Sequence, residues 1–446
     1  MSLLFTLWLF DTLLTWGKWP LGADAEPSPA VLLREEIKPE EWRGYVMTTT
    51  VEGELRGEGE QKSAPVRIRG NGKHELAERI LATSGGLPNR ILRSYKQASV
   101  EVHVAGERLV KTLRPQRSCI LYGRLPDGTR GFCPQGPLTR DELEIVTEHL
   151  APSMLAGLLP GKVVTVGQSW KISDAILGEV CLLDAVVESQ VEGKLLSIED
   201  GFAEFTIQGK VRGIDKGAQV TLQVDGKGRY DRQSGRIVEC RWVQEDERTA
   251  GWWNPASRLR IQAHVQHQKR EVPESECSRS VVLNPQMWQQ PKAELLRLEV
   301  EGPKKSYRLT YGREWYILGE TAEHLMMRLV DRGVPIAQLT LTHWRRAIGT
   351  RTEQIAEFRK AVAATPGWKP DKLLHEGEVE AGGQSVYRII QEGKIGEQRI
   401  IQRFWLITTP RGDQLVMTVT LPPEHQQRFG DKDVELMKNL TFFPSP

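Results

Sequence analysis

Between residues 42 and 270 the chain contains many short runs in which apolar and polar residues alternate. Successive side chains of a strand point to opposite faces of the sheet, so a period of two predicts strands that are buried on one face. The clearest runs are Val100, Val102 and Val104; Ala203, Phe205 and Ile207; Val220, Leu222 and Val224; and Val238, Cys240 and Trp242. We therefore predict half-buried antiparallel sheets in this region.

Two of these β-rich segments resemble each other. Residues 51–57 (VEGELRG) align with residues 207–213 (IQGKVRG), and residues 71–73 (NGK) align with residues 225–227 (DGK). Such a match indicates an internal duplication, although convergent strand and turn sequences would produce the same likeness. A duplication predicts two curved sheets or open barrels that face each other.

The stretch Leu158–Ile172 joins the two halves. Before it, Thr139 and Glu142 have the spacing of a capping box, which predicts a helix that runs to about His149. A second helix is expected to start near Ser173. The link between the halves is therefore a helix and a turn.

This segment also carries a resemblance. The motifs LLPGK at residues 158–162 and VGQSW at residues 166–170 resemble a family of uncharacterised secreted bacterial proteins. The likeness covers much of residues 40–270. It implies no activity.

After residue 302 the composition changes to an aromatic strand, a helix, a meander and a final helix. The carriers of this pattern are Tyr307–Trp315, the helix after Thr350, and the ending from Phe429 to Phe443. This order resembles the PsbP-like proteins and implies an α/β/α sandwich whose members bind proteins. The whole chain is thus expected to be α+β.

These arguments predict six segments. In chain order they are a signal peptide at 1–25, a first β-rich half at 40–137, a linking helix and turn at 138–172, a second β-rich half at 173–270, a Pro-containing linker at 271–302, and a PsbP-like domain at 303–446.

The N-terminus has the composition of a secretory signal. Apolar residues 3–10 are followed by Ala23 and Ala25 in an A-x-A cleavage pattern, and the run is too short to span a bilayer. Asp11 interrupts the run and no basic residue precedes it, so a frayed helix or a misplaced start codon is the alternative. We expect a secreted or periplasmic protein without a transmembrane span.

An exported protein can form disulfides, and Cys119 and Cys133 flank the turn residues 125–128 (LPDG). A hairpin there would bring the two cysteines together, and two unpaired thiols are the alternative. The chain has five cysteines and no C-x-x-C pair, which speaks against structural zinc.

The charge balance argues against nucleic-acid binding. There are 60 Lys and Arg residues and 58 Asp and Glu residues, without a basic stripe. His264 and His267 have a spacing that puts them on opposite faces of a strand, so they cannot chelate one ion together. We find no local motif for catalysis, a metal or a cofactor, and we expect no enzymatic activity.

Trp252 and Trp253 lie together in the loop GWWNP. They are candidates for binding a sugar, a lipid or a protein partner, and the alternative is that they plug one end of the sheet. The first functional hypothesis is an exported, non-enzymatic binding or scaffold protein. The alternatives are a carrier of an apolar ligand between the two β halves and a hydrolase whose active-site residues are scattered along the chain.

Overall fold

The fold is known from a computed structural model. It describes residues 29–39, 41–57, 64–125, 128–251, 255–269, 276–382, 384–409 and 412–443. Within these ranges strands hold 59% of the residues and helices hold 17%. The predicted α+β class is therefore wrong, because antiparallel sheets make up most of the chain.

The N-terminal region has fourteen strands in the part of the chain that the structure describes. They are β1 Ala30–Leu32, β2 Trp42–Arg56, β3 Val66–Ser84, β4 Leu87–Val104, β5 Glu107–Thr112, β6 Cys119–Leu125, β7 Gly128–Phe132, β8 Val163–Thr165, β9 Ser169–Lys171, β10 Ala185–Glu199, β11 Phe202–Asp215, β12 Ala218–Asp231, β13 Arg236–Arg248 and β14 Ala256–Gln268. Strands β1 and β8 pair with each other. The other twelve form one antiparallel sheet in the order β7-β6-β4-β3-β2-β14-β13-β12-β11-β10-β9, with β5 beside β4.

The prediction of two separate curved sheets or barrels is wrong. Strand β2 pairs with β14 along its length, with Val51 opposite Ile261, so the two halves continue into one sheet. The two strands are far apart in the sequence. A strand with alternating apolar residues can bury its apolar side beside any antiparallel neighbour that also has an apolar face. The local pattern therefore does not specify which strand β2 pairs with.

The segment between the halves lies against the inner face of this sheet. Helix α1, Arg140–Ile145, begins with the predicted capping box between Thr139 and Glu142. It ends before the predicted His149, and Leu150 has a left-handed backbone with φ 56° that a helix cannot continue through. A 3₁₀-helix, Pro152–Leu158, then packs between β4 and β13.

The stretch from Leu158 to Ile172 connects this inner segment to the sheet. Strand β9 extends the sheet beside β10, and the ring nitrogen of Trp170 donates to the Leu158 carbonyl over 2.9 Å. The following helix α2, Asp174–Cys181, starts where it was predicted and packs against β10. The inner segment thereby covers the second half of the sheet.

The C-terminal region forms two smaller sheets. Its strands are β15 Leu298–Glu301, β16 Tyr307–Tyr311, β17 Trp315–Glu320, β18 His324–Asp331, β19 Val334–Arg346, β20 Trp368–Ala381, β21 Gln384–Ile395, β22 Gln398–Thr408, β23 Asp413–Leu421 and β24 Leu440–Phe442. Seven of them form an antiparallel sheet in the order β17-β18-β19-β23-β22-β21-β20. Strands β15, β16 and β24 form the other sheet.

The predicted α/β/α sandwich is not what these strands build. The 13-residue helix Arg351–Ala363 packs on one face of the seven-stranded sheet and starts with the capping box of Thr350 and Glu353. The opposite face receives only short helices, Gln426–Phe429 and Lys432–Lys438. Helices this short do not make a layer equal to the sheet, which is why strand dominates the composition.

Part of the predicted linker is also structured. The helices Glu276–Leu283 and Gln286–Gln289 lie over the outer face of β4, β6 and β7, where Val281 packs with Leu92 and Phe132. The N- and C-terminal regions share one apolar core. Arg140 joins them by donating to the carbonyl oxygens of Arg313 and Trp315. Among the described helices, none has the length and hydropathy to cross a membrane.

Candidate functional site

One end of the large sheet carries apolar side chains that point inward yet stay partly accessible. We call this surface the open inner face, and it consists of Val51, Leu55, Val66, Ile68, Val102, Val104, Leu109 and Leu259. Val66 is 38% exposed and Leu109 is 43% exposed, and the other six are half-buried. Accessible apolar side chains that cluster in this way mark binding surfaces more often than isolated ones do.

The strand register establishes which face these residues occupy. Val51 lies opposite Gly70 on β3, and Gly70 lies opposite Val102 on β4. Residues directly opposite each other share a face, and residues two apart in one strand do too. Met47 on β2, four residues before Val51, is 1% exposed in the core. The open inner face is therefore a continuation of the core-facing side of the sheet.

A furrow runs along β3 through this surface. Its floor is Gly70 and Gly72, which have no side chains, and its walls at Gly70 are Val51 and Val102. At Gly72 the walls are Thr49 on β2 and Val100 on β4. The walls stand two strand spacings apart, about 10 Å, and their methyl groups narrow the gap to roughly the width of one alkyl chain.

The furrow ends at His74. This residue occupies the next inward position of β3, and its Cε1 atom lies 3.7 Å from the position that a Cβ on Gly72 would take. The ring is 4% exposed, and its Nε2 atom lies 2.9 Å from the carbonyl oxygen of Ile145 at the end of α1. Ile68 and His74, whose Cα atoms are about 20 Å apart along the strand, bound the furrow at its two ends.

The charges on this surface are few and are balanced. Among the described inward positions of β2 to β5 at this end, only Glu107 and Lys111 are charged, and both are on the edge strand β5. The Lys111 ammonium group lies 2.6 Å from a carboxylate oxygen of Asp141 and 4.0 Å from one of Glu144. The cation is thus already paired, so the surface favours an uncharged ligand.

Behind the furrow, a buried polar network fixes β3 and β4 to the inner segment. The Arg93 guanidinium donates to Glu78 over 2.8 Å, to Glu148, and to Ser153 over 3.1 Å. Tyr95 donates to the other oxygen of Glu148 over 2.6 Å. Burial opposes the charge on Arg93, but Glu148 and its neighbours hold the pKa of Arg93 well above its ordinary value. Burial raises the pKa of Glu78.

This network is suited to holding structure rather than to chemistry. The side chains of Arg93, Glu78 and Glu148 are each 2–3% exposed. Both carboxylates accept hydrogen bonds from the same guanidinium, which offsets part of the cost of burying these side chains. The arrangement ties the wall of the furrow to the segment that carries Glu148 and Ser153.

A second polar cluster lies under the other half of the sheet. Arg248 donates to Asp246 over 2.7 Å and also binds Asp215. Burial lowers the pKa of the nearby His149 to about 4 and raises the pKa of the Cys181 thiol. A raised pKa favours the protonated thiol, which is the ordinary state of a cysteine that packs in the core.

The structure does not describe most of the residues proposed from sequence. Trp252 and Trp253 lie outside the described residues, as do Ala23 and Ala25, so their roles stay predictions. The sequence pattern aligned residues 71–73 with residues 225–227 but assigned Gly70 and Gly72 no function. The available signal was their period of two, which puts both glycines and His74 on one face of a strand.

Cys119 and Cys133 lie where the predicted hairpin puts them. Cys119 begins β6, Cys133 follows β7, and both are buried. Leu121 lies opposite Phe132, however, so the two cysteines point to opposite faces and contribute to different core clusters. A bridge would need another register, and the pairing itself stays a prediction.

Comparison with known proteins gives only distant structural likenesses. No family model and no curated protein matches the chain. A protein of Bacteroides thetaiotaomicron is 10% identical with a TM-score of 0.26, over 33% of this chain and 48% of that one. Cyanobacterial PsbP from Synechocystis sp. PCC 6803 is 15% identical with a TM-score of 0.25, over 33% of this chain and 92% of that one. A lipovitellin structure is 9% identical with a TM-score of 0.32, over 54% of this chain and 26% of that one.

These likenesses therefore include a PsbP-like protein, at low coverage. The chain spans about half of the Bacteroides protein and about a quarter of lipovitellin. The predicted resemblance of residues 158–170 to secreted bacterial proteins finds no support. What the protein does must therefore be argued from its own geometry.

Proposed function

We propose that the protein is a non-enzymatic binding protein whose ligand is a small, neutral, apolar molecule. The observation that carries the proposal is the open inner face with the glycine-floored furrow along β3. The ligand lies on the inner face of the first half and not between two facing sheets, since β2 and β14 join the halves into one sheet. Export, as the N-terminal sequence predicts, would place this binding outside the cytoplasm.

The size of the surface supports a small ligand over a protein partner. Five neighbouring strands and three inward rows cover roughly 300 Å² at ordinary strand spacings. A stable protein interface buries about 800 Å² on each partner. The furrow is one strand wide, which suits a single chain of methylene groups.

The test is a calorimetric titration of the full chain with 1-decanol, an uncharged ten-carbon chain. The Gly70→Leu variant fills the furrow, and the neighbouring Asn71→Leu variant puts the same side chain on the exposed outer face. A Cβ on Gly70 meets its nearest neighbours at 3.5–3.9 Å, which is ordinary contact, so the backbone accommodates the change.

We expect 1-decanol to bind the native protein and Asn71→Leu alike, and to bind Gly70→Leu at least about tenfold more weakly. Absence of binding to the native chain would refute the proposal. Equal binding by all three proteins would show that the ligand lies elsewhere. The hypothesis that Trp252 and Trp253 bind a sugar or a protein remains the second candidate, and Trp→Ala at both positions tests it separately.

A further inference from the structure

One ring nitrogen of His74 is a hydrogen-bonding group that the packing of the ring leaves unused. Its Nε2 atom lies 2.9 Å from the Ile145 carbonyl oxygen, which can only accept, so Nε2 carries the hydrogen. In the neutral ring the Nδ1 atom is then an acceptor. Among the described residues no donor reaches this buried Nδ1 atom.

The position of the ring relates this acceptor to the furrow. The Cε1 atom, which lies between Nδ1 and Nε2 in the ring, is 3.7 Å from the Cβ position of Gly72, so the ring borders the furrow floor at the atom next to Nδ1. At the level of Gly72 the described polar side chains are Thr49, which is half-buried on the wall, and Lys111, which lies opposite the other wall residue Val100 on the edge strand. An apolar furrow that ends in one buried acceptor suits a chain that ends in one donor.

The charges argue against an ionised head group. The nearest inward cation, Lys111, is paired with Asp141, and Glu144 and Glu107 add negative charge on the same side. A carboxylate would bring a further negative charge and no donor. A hydroxyl group brings a donor at no cost in charge.

We infer that the ligand carries a hydroxyl group at one end, and that this hydroxyl donates to Nδ1 of His74 at the closed end of the furrow. The inference rests on the proposed function and adds the chemical class, an alkyl alcohol. His74 is the residue that distinguishes alcohols from hydrocarbons and ethers of the same length. The hydrogen bond from Nε2 to the Ile145 carbonyl oxygen fixes the orientation of the ring.

The experiment compares 1-decanol, 1-methoxydecane and decanoate by calorimetry on the full-length native protein at pH 8. The ether has the same apolar chain and an oxygen but no hydrogen to donate. We expect the alcohol to bind about tenfold more tightly than the ether, the effect of one buried hydrogen bond. Decanoate is expected to bind more weakly than the alcohol.

Two variants assign the preference to His74. His74→Gln keeps an amide donor for Ile145 and an oxygen acceptor for the ligand, and it should retain much of the preference. His74→Met removes both groups, and it should bind the alcohol and the ether equally, with little change for the ether. The ligand comparison in the native protein does not depend on either variant folding.

The outcomes separate this inference from the proposed function. Equal binding of alcohol and ether by the native protein would overturn the hydroxyl while leaving apolar binding intact. A preference that persists in His74→Met would overturn the assignment to His74. Tighter binding of decanoate would overturn the argument from charge, and no binding of any of the three probes would overturn the proposed function as well.

Discussion

The two halves of the large sheet have the same alternation and different surroundings. Under the second half, Val211, Val220 and Leu222 are 0–2% exposed. In the first half, inward residues such as Val102 and Val104 stay half-buried, and Val66 is 38% exposed. The inner segment covers the second half, where α2 packs on β10 and the 3₁₀-helix packs on β13. It covers the first half only at one end, where α1 and the 3₁₀-helix pack on β4.

This difference shows that an apolar inward stripe serves two purposes. Covered, it contributes to stability in proportion to the area removed from water. An apolar stripe that stays exposed to water lowers the stability of the fold unless a ligand covers it. The open inner face is the functional candidate for this reason. Loss-of-side-chain experiments on the two halves should therefore give different results for stability.

The largest effect is expected at the network that anchors the first half to the inner segment. Arg93→Met leaves the buried carboxylates of Glu78 and Glu148 without their cation, so the free energy of unfolding should fall by about 3–5 kcal/mol. Urea denaturation followed by circular dichroism measures this change. The control is Arg108→Met, which breaks an exposed ion pair with Glu101 and should leave the midpoint nearly unchanged. Equal effects would show that the network is not a structural anchor.

A pair of leucines compares the covered and open faces directly. Leu222 is fully buried on β12, and Leu259 is half-buried on β14. Leu222→Ala should cost about 3 kcal/mol of unfolding free energy, because it leaves a cavity, and Leu259→Ala about 1 kcal/mol. Chemical denaturation of both variants measures the difference. A similar cost for both would mean that the open inner face is as well packed as the covered one.

The smallest effect is the change of unfolding free energy with pH that His149, in the covered half, should cause. The pKa of His149 is about 4 in the folded chain and about 6.5 in an unfolded one. Between these values the unfolded chain binds a proton that the folded chain does not, so stability is complete above pH 6.5 and falls as the pH is lowered towards 4. We expect about 1–2 kcal/mol from this residue.

His149→Gln removes this contribution, so the difference in unfolding free energy between the native chain and the variant should shrink as the pH is lowered. Carboxylates titrate in the same range in both proteins, and only the difference reports on His149. A difference that is constant from pH 7 to pH 4.5 would mean that the pKa of His149 is the same in the folded and unfolded chains.

Local sequence patterns predicted the local structure well. The capping boxes of Thr139 with Glu142 and of Thr350 with Glu353 both form, because both partners lie within one helical turn of each other. Period two predicted the strands around Val100, Phe205 and Leu222, because the pleat imposes that period on every half-buried strand.

Long-range pairing was not predictable in the same way. The extension of one half into the other through β2 and β14 depends on edges that two distant hairpins leave free. The end of α1 before His149 depends on the backbone of Leu150, and no strong helix-stop residue stands at that position. The proposed duplication stays a prediction, since a tandem sheet accommodates both repeated and merely similar strands.

The candidate site shows the same limit. The sequence contains Gly70, Gly72 and His74 at alternate positions, and it contains the valines that become the walls. The alternation of apolar and polar residues does not predict which valines the inner segment covers, because Val102 and Val220 follow the same pattern.

The sequence by itself determined the strands, the caps, the balance of charge and the inward face of each strand, since these depend on neighbours within a few residues. The tertiary structure decided the rest. It placed the inner segment beneath the second half and one end of the first, left the other end of the first half partly open, and put a buried acceptor at the end of a furrow. Those outcomes depend on contacts between distant parts of the chain, where burial and not local pattern sets the free energy.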